Sequence, residues 1–152
     1  MKKILAAFTV SVVGLLMACS TVSLKAEAES YVPLLHSVLA KDENEIITFK
    51  SLEWVCSETE RENYYMLDCT YLIQYDSASS RDLYAIGYAI KDSFGSVHVE
   101  ISNQEETTYI EYYEGLMSDY QTIEDNPDLL EGRNTVIDKG MLTEEALSEL
   151  LN

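Results

Sequence analysis

Alternating apolar and polar positions mark the middle of the chain as a series of β-strands. Residues 45–56 and 63–75 are rich in β-branched and aromatic side chains and alternate with a period of two. The polar stretch 57–62 between them predicts a turn. Residues 82–91 put tyrosine and isoleucine on one face and small side chains on the other, so that a helix can pack closely there. With 96–101 as a fourth strand, the short connections predict an antiparallel meander.

Apolar positions at helical spacing predict helices on both sides of these strands. Residues 30–42 carry such a stripe, with Ser30 as the N-cap and Pro33 in the first turn. Residues 103–120 have strand propensity as well, but a capping asparagine followed by glutamates favours a helix over 104–120. A strand there stays open as the alternative. Residues 143–151 predict a last helix.

Together these elements predict one α+β domain over residues 31–152. It has an N-terminal helix, a four-stranded antiparallel meander and one or two C-terminal helices, and the chain length of 152 residues suits a single domain. The order of elements resembles that of the cystatin-like and NTF2-like α+β folds. This is a likeness of element order alone, and because such folds carry many functions it implies no activity.

The first eighteen residues have the pattern of a secretory signal peptide and are set apart from the domain. Lys2 and Lys3 form a short basic start, and an apolar run with small residues follows over positions 4–18. This run is shorter than the roughly 20 residues that a membrane-spanning helix needs. The pattern therefore predicts export, with an uncleaved anchor as a weaker alternative.

The end of the apolar run, Leu16-Met17-Ala18-Cys19, resembles the lipobox of bacterial prolipoproteins. In that family a leucine lies three residues before the cysteine and a small residue one before it, as Leu16 and Ala18 do here. Met17 is larger than the residue usual between them. The resemblance covers residues 16–19 only. It implies cleavage before Cys19, a diacylglycerol (palmitate-type chains) on its sulfur, and a domain held on the extracytoplasmic side of the cell membrane.

A second cleavage pattern leaves a soluble secreted protein as the alternative. Ala26-Glu27-Ala28 fits ordinary signal peptidase, but it follows a long polar gap after the apolar run. If the chain is cleaved before Cys19 instead, the small and polar residues 19–30 predict a flexible tether. Eleven flexible residues span roughly 15–20 Å, which would hold the domain clear of the bilayer.

Cys56 and Cys69 are predicted to form a structural disulfide, because export favours oxidation and both lie in predicted strands. If they lie opposite each other, both cysteines and most of the large apolar residues of the two strands share one face. Their spacing is not that of a Cys-x-x-Cys redox pair. The same register pairs Trp54 with Tyr71, Leu52 with Ile73, and Lys50 with Tyr75.

The charge of the chain argues against nucleic acid as a partner. Asp and Glu number 27 against 10 Lys and Arg, a formal net charge of −17. Without Lys2 and Lys3 of the leader, the charge is 8 − 27 = −19. Such a surface repels phosphate backbones and anionic headgroups. It favours solubility, and a surface for cations or for a basic partner is the sharper alternative.

Candidate catalytic and metal-binding residues are few. His36 falls at a helix edge, and His98 faces outward on its strand with Glu100 two residues on, without a Ser or Cys in a nucleophile context. Carboxylates at 124–128 offer oxygen ligands for Ca²⁺, but the EF-hand spacing is missing and a turn is favoured. We expect no cofactor and no metal. An enzyme of unrecognised type remains the alternative.

The 11 tyrosines are the strongest sign of a binding surface. Tyrosine suits surfaces that are half apolar and half wet, although such rings also line the edges of cores. The sequence thus predicts a noncatalytic binding or accessory module of the cell envelope, whose ligand is a peptide, a glycan or another envelope protein. The candidate residues are Tyr64, Tyr84, Tyr88, Tyr109, Tyr112 and Tyr113.

Overall fold

A computed structural model describes residues 24–62, 64–102, 106–130 and 134–152. The predicted signal peptide and the lipidation at Cys19 lie outside these residues. Residues 24–30 are helical and lead into the first named helix. The elements that follow are α1 (Val32–Glu43), β1 (Ile47–Arg61), β2 (Tyr64–Ser77), β3 (Leu83–Lys91), β4 (Val97–Ile101), α2 (Glu106–Asp125), a 3₁₀ turn (Pro127–Leu130), β5 (Asn134–Leu142) and α3 (Glu144–Leu151).

The strands form one antiparallel sheet in the order β4-β3-β2-β1-β5, which confirms the α+β prediction and its four-stranded meander. The fifth strand was not predicted. It follows the helices in sequence but pairs with β1, the first strand. Residues 134–142 include Asn, Asp, Lys and Gly, which are poor strand formers, and an edge strand with much exposed surface shows little alternation.

Helices cover the two faces of the sheet unequally. Residues 24–30, α1 and α3 pack on one face, over the larger core that contains Trp54, Tyr71 and Leu35. On the small face predicted for β3, a Cβ added to Gly87 would lie 2.6 Å from Leu35 Cδ2, so α1 packs directly on the glycine. Among the described helices, α2 packs on the other face.

The disulfide between Cys56 and Cys69 and the register around it are confirmed. Trp54 lies opposite Tyr71, and Leu52 opposite Ile73, as predicted. The predicted pairing of Lys50 with Tyr75 is wrong, since a β-bulge shifts the register between Phe49 and Ser51 and Phe49 takes that place. The bulge turns Phe49, which is 2% exposed, into the core. Lys50 instead reaches Glu144 at 2.9 Å, so the bulge keeps a lysine out of the apolar interior.

The predicted turn over 57–62 is also wrong. Strand β1 continues through it to Arg61, and β2 begins at Tyr64. Residues 57–59 are half-buried and 60–62 are exposed, and residues 57–60 pair with β5 as well as with β2. A polar composition there is compatible with a strand as well as with a turn.

Helix prediction was right in kind, but two boundaries differ: α2 continues to Asp125 rather than ending at 120, and the helical residues before α1 begin ahead of Ser30. Helix α2 replaces the strand alternative, and Thr143 caps α3 by accepting a hydrogen bond from the Ala146 amide, as expected. Ser30 is not a cap, because its hydroxyl donates to the Glu27 carbonyl and Tyr31 precedes α1. Among the described residues, no helix is both long and apolar enough to cross a membrane.

The flexible tether predicted for residues 19–30 is wrong for its described part. Residues 24–30 are helical, with Leu24 2% exposed and Ala28 fully buried in the larger core. The apolar stripe predicted for the first helix, with Tyr31, Leu35 and Leu39, extends back to Leu24 and Ala28, and all five residues are buried. Polar residues between these positions hid this extension.

Candidate functional site

An open groove of about 480 Å³ lies between α2 and the part of the sheet that α2 leaves uncovered. Its floor crosses four strands. One row of neighbouring residues runs from Ile90 on β3 through Asp68 and Ser57 to Ile137 on β5. The disulfide lies on the opposite face, between residues adjacent to Asp68 and Ser57. It therefore cross-links the two central strands of the floor.

Two buried tyrosines hold α2 on the sheet. Tyr109 and Tyr113 pack with Val55 and Ile86 in a smaller, separate core. The Tyr109 hydroxyl also donates to the Ser102 carbonyl at 2.7 Å. These contacts lie in the first half of the described helix. The groove lies along the helix from Tyr112 onward, and its lining side chains there are Tyr112, Leu116, Asp119, Tyr120 and Ile123.

Two tyrosines meet at one end of the groove. The rings of Tyr88 and Tyr112 pack edge to face, with centroids 6.4 Å apart and planes at 81°. Burial raises the pKa of Tyr88 to about 12, and a hydrogen bond with the Tyr112 hydroxyl adds to the shift. The Tyr88 hydroxyl is therefore neutral at physiological pH and acts as a hydrogen-bonding group on an otherwise apolar wall.

Asp68 is the acidic residue of the groove floor. Burial raises the pKa of its carboxyl, because the protein removes part of the water that would stabilise the charged form. The open side of the groove keeps the side chain accessible to solvent. Within the described residues it makes no hydrogen bond and no ion pair. The fold thus holds an unpaired carboxylate in a largely apolar groove.

The predicted tyrosine surface divides into separate places in the structure. Tyr88 and Tyr112 line the groove. Tyr109 and Tyr113 are buried beneath α2, and Tyr84 packs half-buried against the same cluster. Three of the six candidates are thus interior or core-edge residues, which was the alternative interpretation of the tyrosine content.

The remaining candidates lie away from the groove lining. Tyr64 begins β2 at the hairpin end, where its hydroxyl contacts Met66 Sδ at 3.4 Å. His98 Nε2 and Glu100 Oε2 are 2.9 Å apart on the edge strand, and both side chains are exposed. His36 hydrogen-bonds the Ile47 carbonyl at 3.2 Å, which accounts for it as a packed residue at a helix edge.

The carboxylates near the end of α2 serve the helix itself. Asp125 accepts a hydrogen bond from the Gln121 amide at 3.0 Å, and the Asn126 amide donates to the Thr122 carbonyl at 2.9 Å. In the part of the chain that the structure describes, no three His, Cys, Asp or Glu side chains converge in a way that could hold a metal ion.

Sequence reasoning missed most of the groove. The place of Asp68 on this face could have been predicted, because the predicted register puts it opposite Ser57 and on the same face as Val55. The place of Ile137 could not, because β5 was not predicted. Comparison of the chain with known protein families, curated proteins and solved structures found no match. What the groove binds therefore has to follow from its own residues.

Proposed function

We propose that this chain is an exported lipoprotein, anchored through Cys19 to the extracytoplasmic side of the cell membrane, whose domain binds a ligand in the groove. The role is noncatalytic. The observation that carries the proposal is the groove itself, which is open, preformed and mostly apolar, with a few polar groups directed into it. Its volume falls within the roughly 300–1,000 Å³ typical of small-molecule sites.

The start of the domain supports cleavage before Cys19 over cleavage after Ala28. Cleavage after Ala28 would remove two core residues, Leu24 and Ala28. It would also remove the Ala28 carbonyl, which accepts a hydrogen bond from the buried Tyr71 hydroxyl at 2.7 Å. A buried hydroxyl left without its partner costs about 1–3 kcal/mol. Cleavage before Cys19 keeps all of these interactions.

The corrected start also shortens the tether. Only residues 20–23 separate Cys19 from Leu24, the first described residue of the helix. Five residue steps span at most about 18 Å when fully extended. In this proposal the domain lies close to the bilayer. Glu27, one turn into the helix, pairs with Lys91 at 3.1 Å, so the end of β3 lies near the anchored end of the domain.

The anchor is tested by Cys19→Ala in the producing bacterium. We expect the wild-type chain in the membrane fraction, with a mature mass that begins at a lipid-modified Cys19. The variant is expected to leave the membrane or to retain its leader. Unchanged membrane association together with an unchanged mature mass would show that the anchor proposal is wrong.

The groove is tested with a neutral fluorescent apolar probe, N-phenyl-1-naphthylamine, on the exported domain. We expect saturable binding by the wild type and loss of binding in Ser57→Trp, since the indole would fill the middle of the floor. Glu60→Trp puts the same side chain at an exposed position of the same strand, outside the groove lining, and is expected to bind as the wild type does. Equal binding by all three proteins would contradict the proposal.

A further inference from the structure

We propose that the ligand of the groove is a small organic cation with an apolar body, whose ammonium group pairs with Asp68. This inference rests on the groove being the binding site and adds the chemical class of its ligand. It draws on three features: the sign of the charge in the groove, the aromatic groups at its wall, and the apolar extension beside it.

The charge in the groove has one sign. Two acidic side chains, Asp68 and Asp119, are among the residues that line it, and in the described part of the chain no Lys, Arg or His lines it. Asp68 has no partner in the described residues, although a carboxylate in such a place gains most from a cation. The acidic chain as a whole attracts cations and repels anions, which excludes fatty acids and phosphorylated compounds as preferred ligands.

The aromatic wall favours a cation as well. The rings of Tyr88, Tyr112 and Tyr120 line the groove, and the faces of such rings attract positive charge. Tyr120 already has one such contact, because Lys139 Nζ lies 5.3 Å from its ring centroid. A ligand ammonium at Asp68 would therefore meet a carboxylate together with the rings of Tyr88 and Tyr112, while Lys139 already contacts the ring of Tyr120.

The apolar body of the ligand has room along α2. A second cavity of about 250 Å³ adjoins the groove and shares Tyr120, Ile123 and Ile137 with it. It continues to Pro127 and Leu130 at the 3₁₀ turn. A ligand with its charge at Asp68 can thus place an alkyl or aryl group between the helix and β5. The combination fits an amphipathic amine better than a compact inorganic cation.

The test compares three probes of similar size and different charge: 2-phenylethylammonium, 2-phenylethanol and 3-phenylpropionate. The full lipid-anchored protein is held in phosphatidylcholine nanodiscs, and empty nanodiscs give the blank. Dissociation constants are measured by ligand-observed NMR titration. We expect the ammonium to bind about 10- to 100-fold more tightly than the alcohol, the range for one charge-assisted hydrogen bond. The carboxylate is expected to bind most weakly.

Two matched variants locate the effect. Asp68→Asn keeps the shape of the side chain and removes its charge, and it should bring the affinity for the ammonium down to that for the alcohol. Glu114→Gln removes one charge from an exposed position of α2 outside the groove and should leave the preference intact. Circular dichroism checks that each variant folds.

The outcomes separate this inference from the proposed function. If ammonium and alcohol bind equally and Ser57→Trp abolishes both, the groove is a binding site but the inference about charge is overturned. If no probe binds at millimolar concentration, or if Asp68→Asn keeps the preference, the inference is likewise overturned. Tri-lysine serves as the probe for a basic peptide. Tighter binding of tri-lysine than of the ammonium, through Asp68, would overturn the small cation in favour of a peptide.

Discussion

Leu24→Ala tests whether the domain begins at residue 24. The side chain is 2% exposed and belongs to the larger core, although the sequence predicts a tether there. Truncation of a buried leucine to alanine costs about 2–5 kcal/mol, the sum of lost burial and of the cavity left behind. We take the lower part of this range, about 2–3 kcal/mol, as the smallest loss that the burial of Leu24 implies.

The matched control is the next residue in the chain. The Lys25 side chain is 66% exposed, and its ion pair with Glu29 lies on the surface of the same helix. Exposed pairs of this kind contribute about 0–1 kcal/mol. Lys25→Ala should therefore change the free energy of unfolding by about 0.5 kcal/mol at most. The two substitutions differ in burial and hardly at all in position along the chain.

The assay is urea unfolding of a chain that begins at Ser20, followed by the fluorescence of its single tryptophan. Trp54 is 1% exposed in the folded protein, so that unfolding shifts its emission strongly. A loss of 2–3 kcal/mol lowers the urea midpoint by about 0.7–3 M, for slopes of about 1–3 kcal/mol/M. If Leu24→Ala unfolds at the same urea concentration as Lys25→Ala, residues 24–30 are not part of the core. Cleavage after Ala28 would then be harmless to the fold.

Three further predictions concern single features of the fold. Gly140→Ala should lower the free energy of unfolding by about 1–3 kcal/mol, because a Cβ there would overlap the Trp54 indole. Gly115 lies in open space on α2, so Gly115→Ala should raise the free energy of unfolding by about 0.5–1 kcal/mol. Urea midpoints check both substitutions. Reduction of the disulfide should cost about 3 kcal/mol at most, and unfolding with and without reductant measures it. The folded-state pKa of Asp68 is raised, so its carboxylate destabilises the fold above that pKa. Asp68→Asn should therefore raise the urea midpoint at pH 7, and the gain should vanish below about pH 4, where both states of the wild type hold the proton. A variant that unfolds like the wild type at pH 7 would contradict this.

The central hairpin was predictable because two cysteines fix its register. Once Cys56 lies opposite Cys69, the period of two in a strand determines which side chains share a face. The bulge before Ser51 was not predictable in this way. Without the bulge Lys50 would face the core, and with it Phe49 does. Which arrangement is more stable depends on the helices that pack on the strand. The sequence pattern of one strand does not show which other elements pack on it.

The groove was hidden for a related reason. Its floor could be inferred in part, since the register puts Asp68 beside Ser57 on the face opposite the disulfide. The sequence could not show that Asp68 is unpaired. Whether a carboxylate has a partner depends on every side chain that packs near it, including those from distant parts of the chain. Which part of the floor stays open depends on where Tyr109 and Tyr113 hold α2, and the far side depends on Ile137 in an unpredicted edge strand.

The two proposals use opposite faces of the sheet. Residues 24–30 pack with α1 over the larger core, whereas the groove lies on the face that α2 covers. If the anchor proposal is right, a short tether at Cys19 would hold the domain near the bilayer without placing the first helix over the groove. Because the disulfide joins the two central strands, we expect small shifts of that helix to have little effect on Asp68 and Ser57. Anchoring and ligand binding are thus separable: loss of the lipid should change where the domain is found and leave the affinity of its groove unaltered.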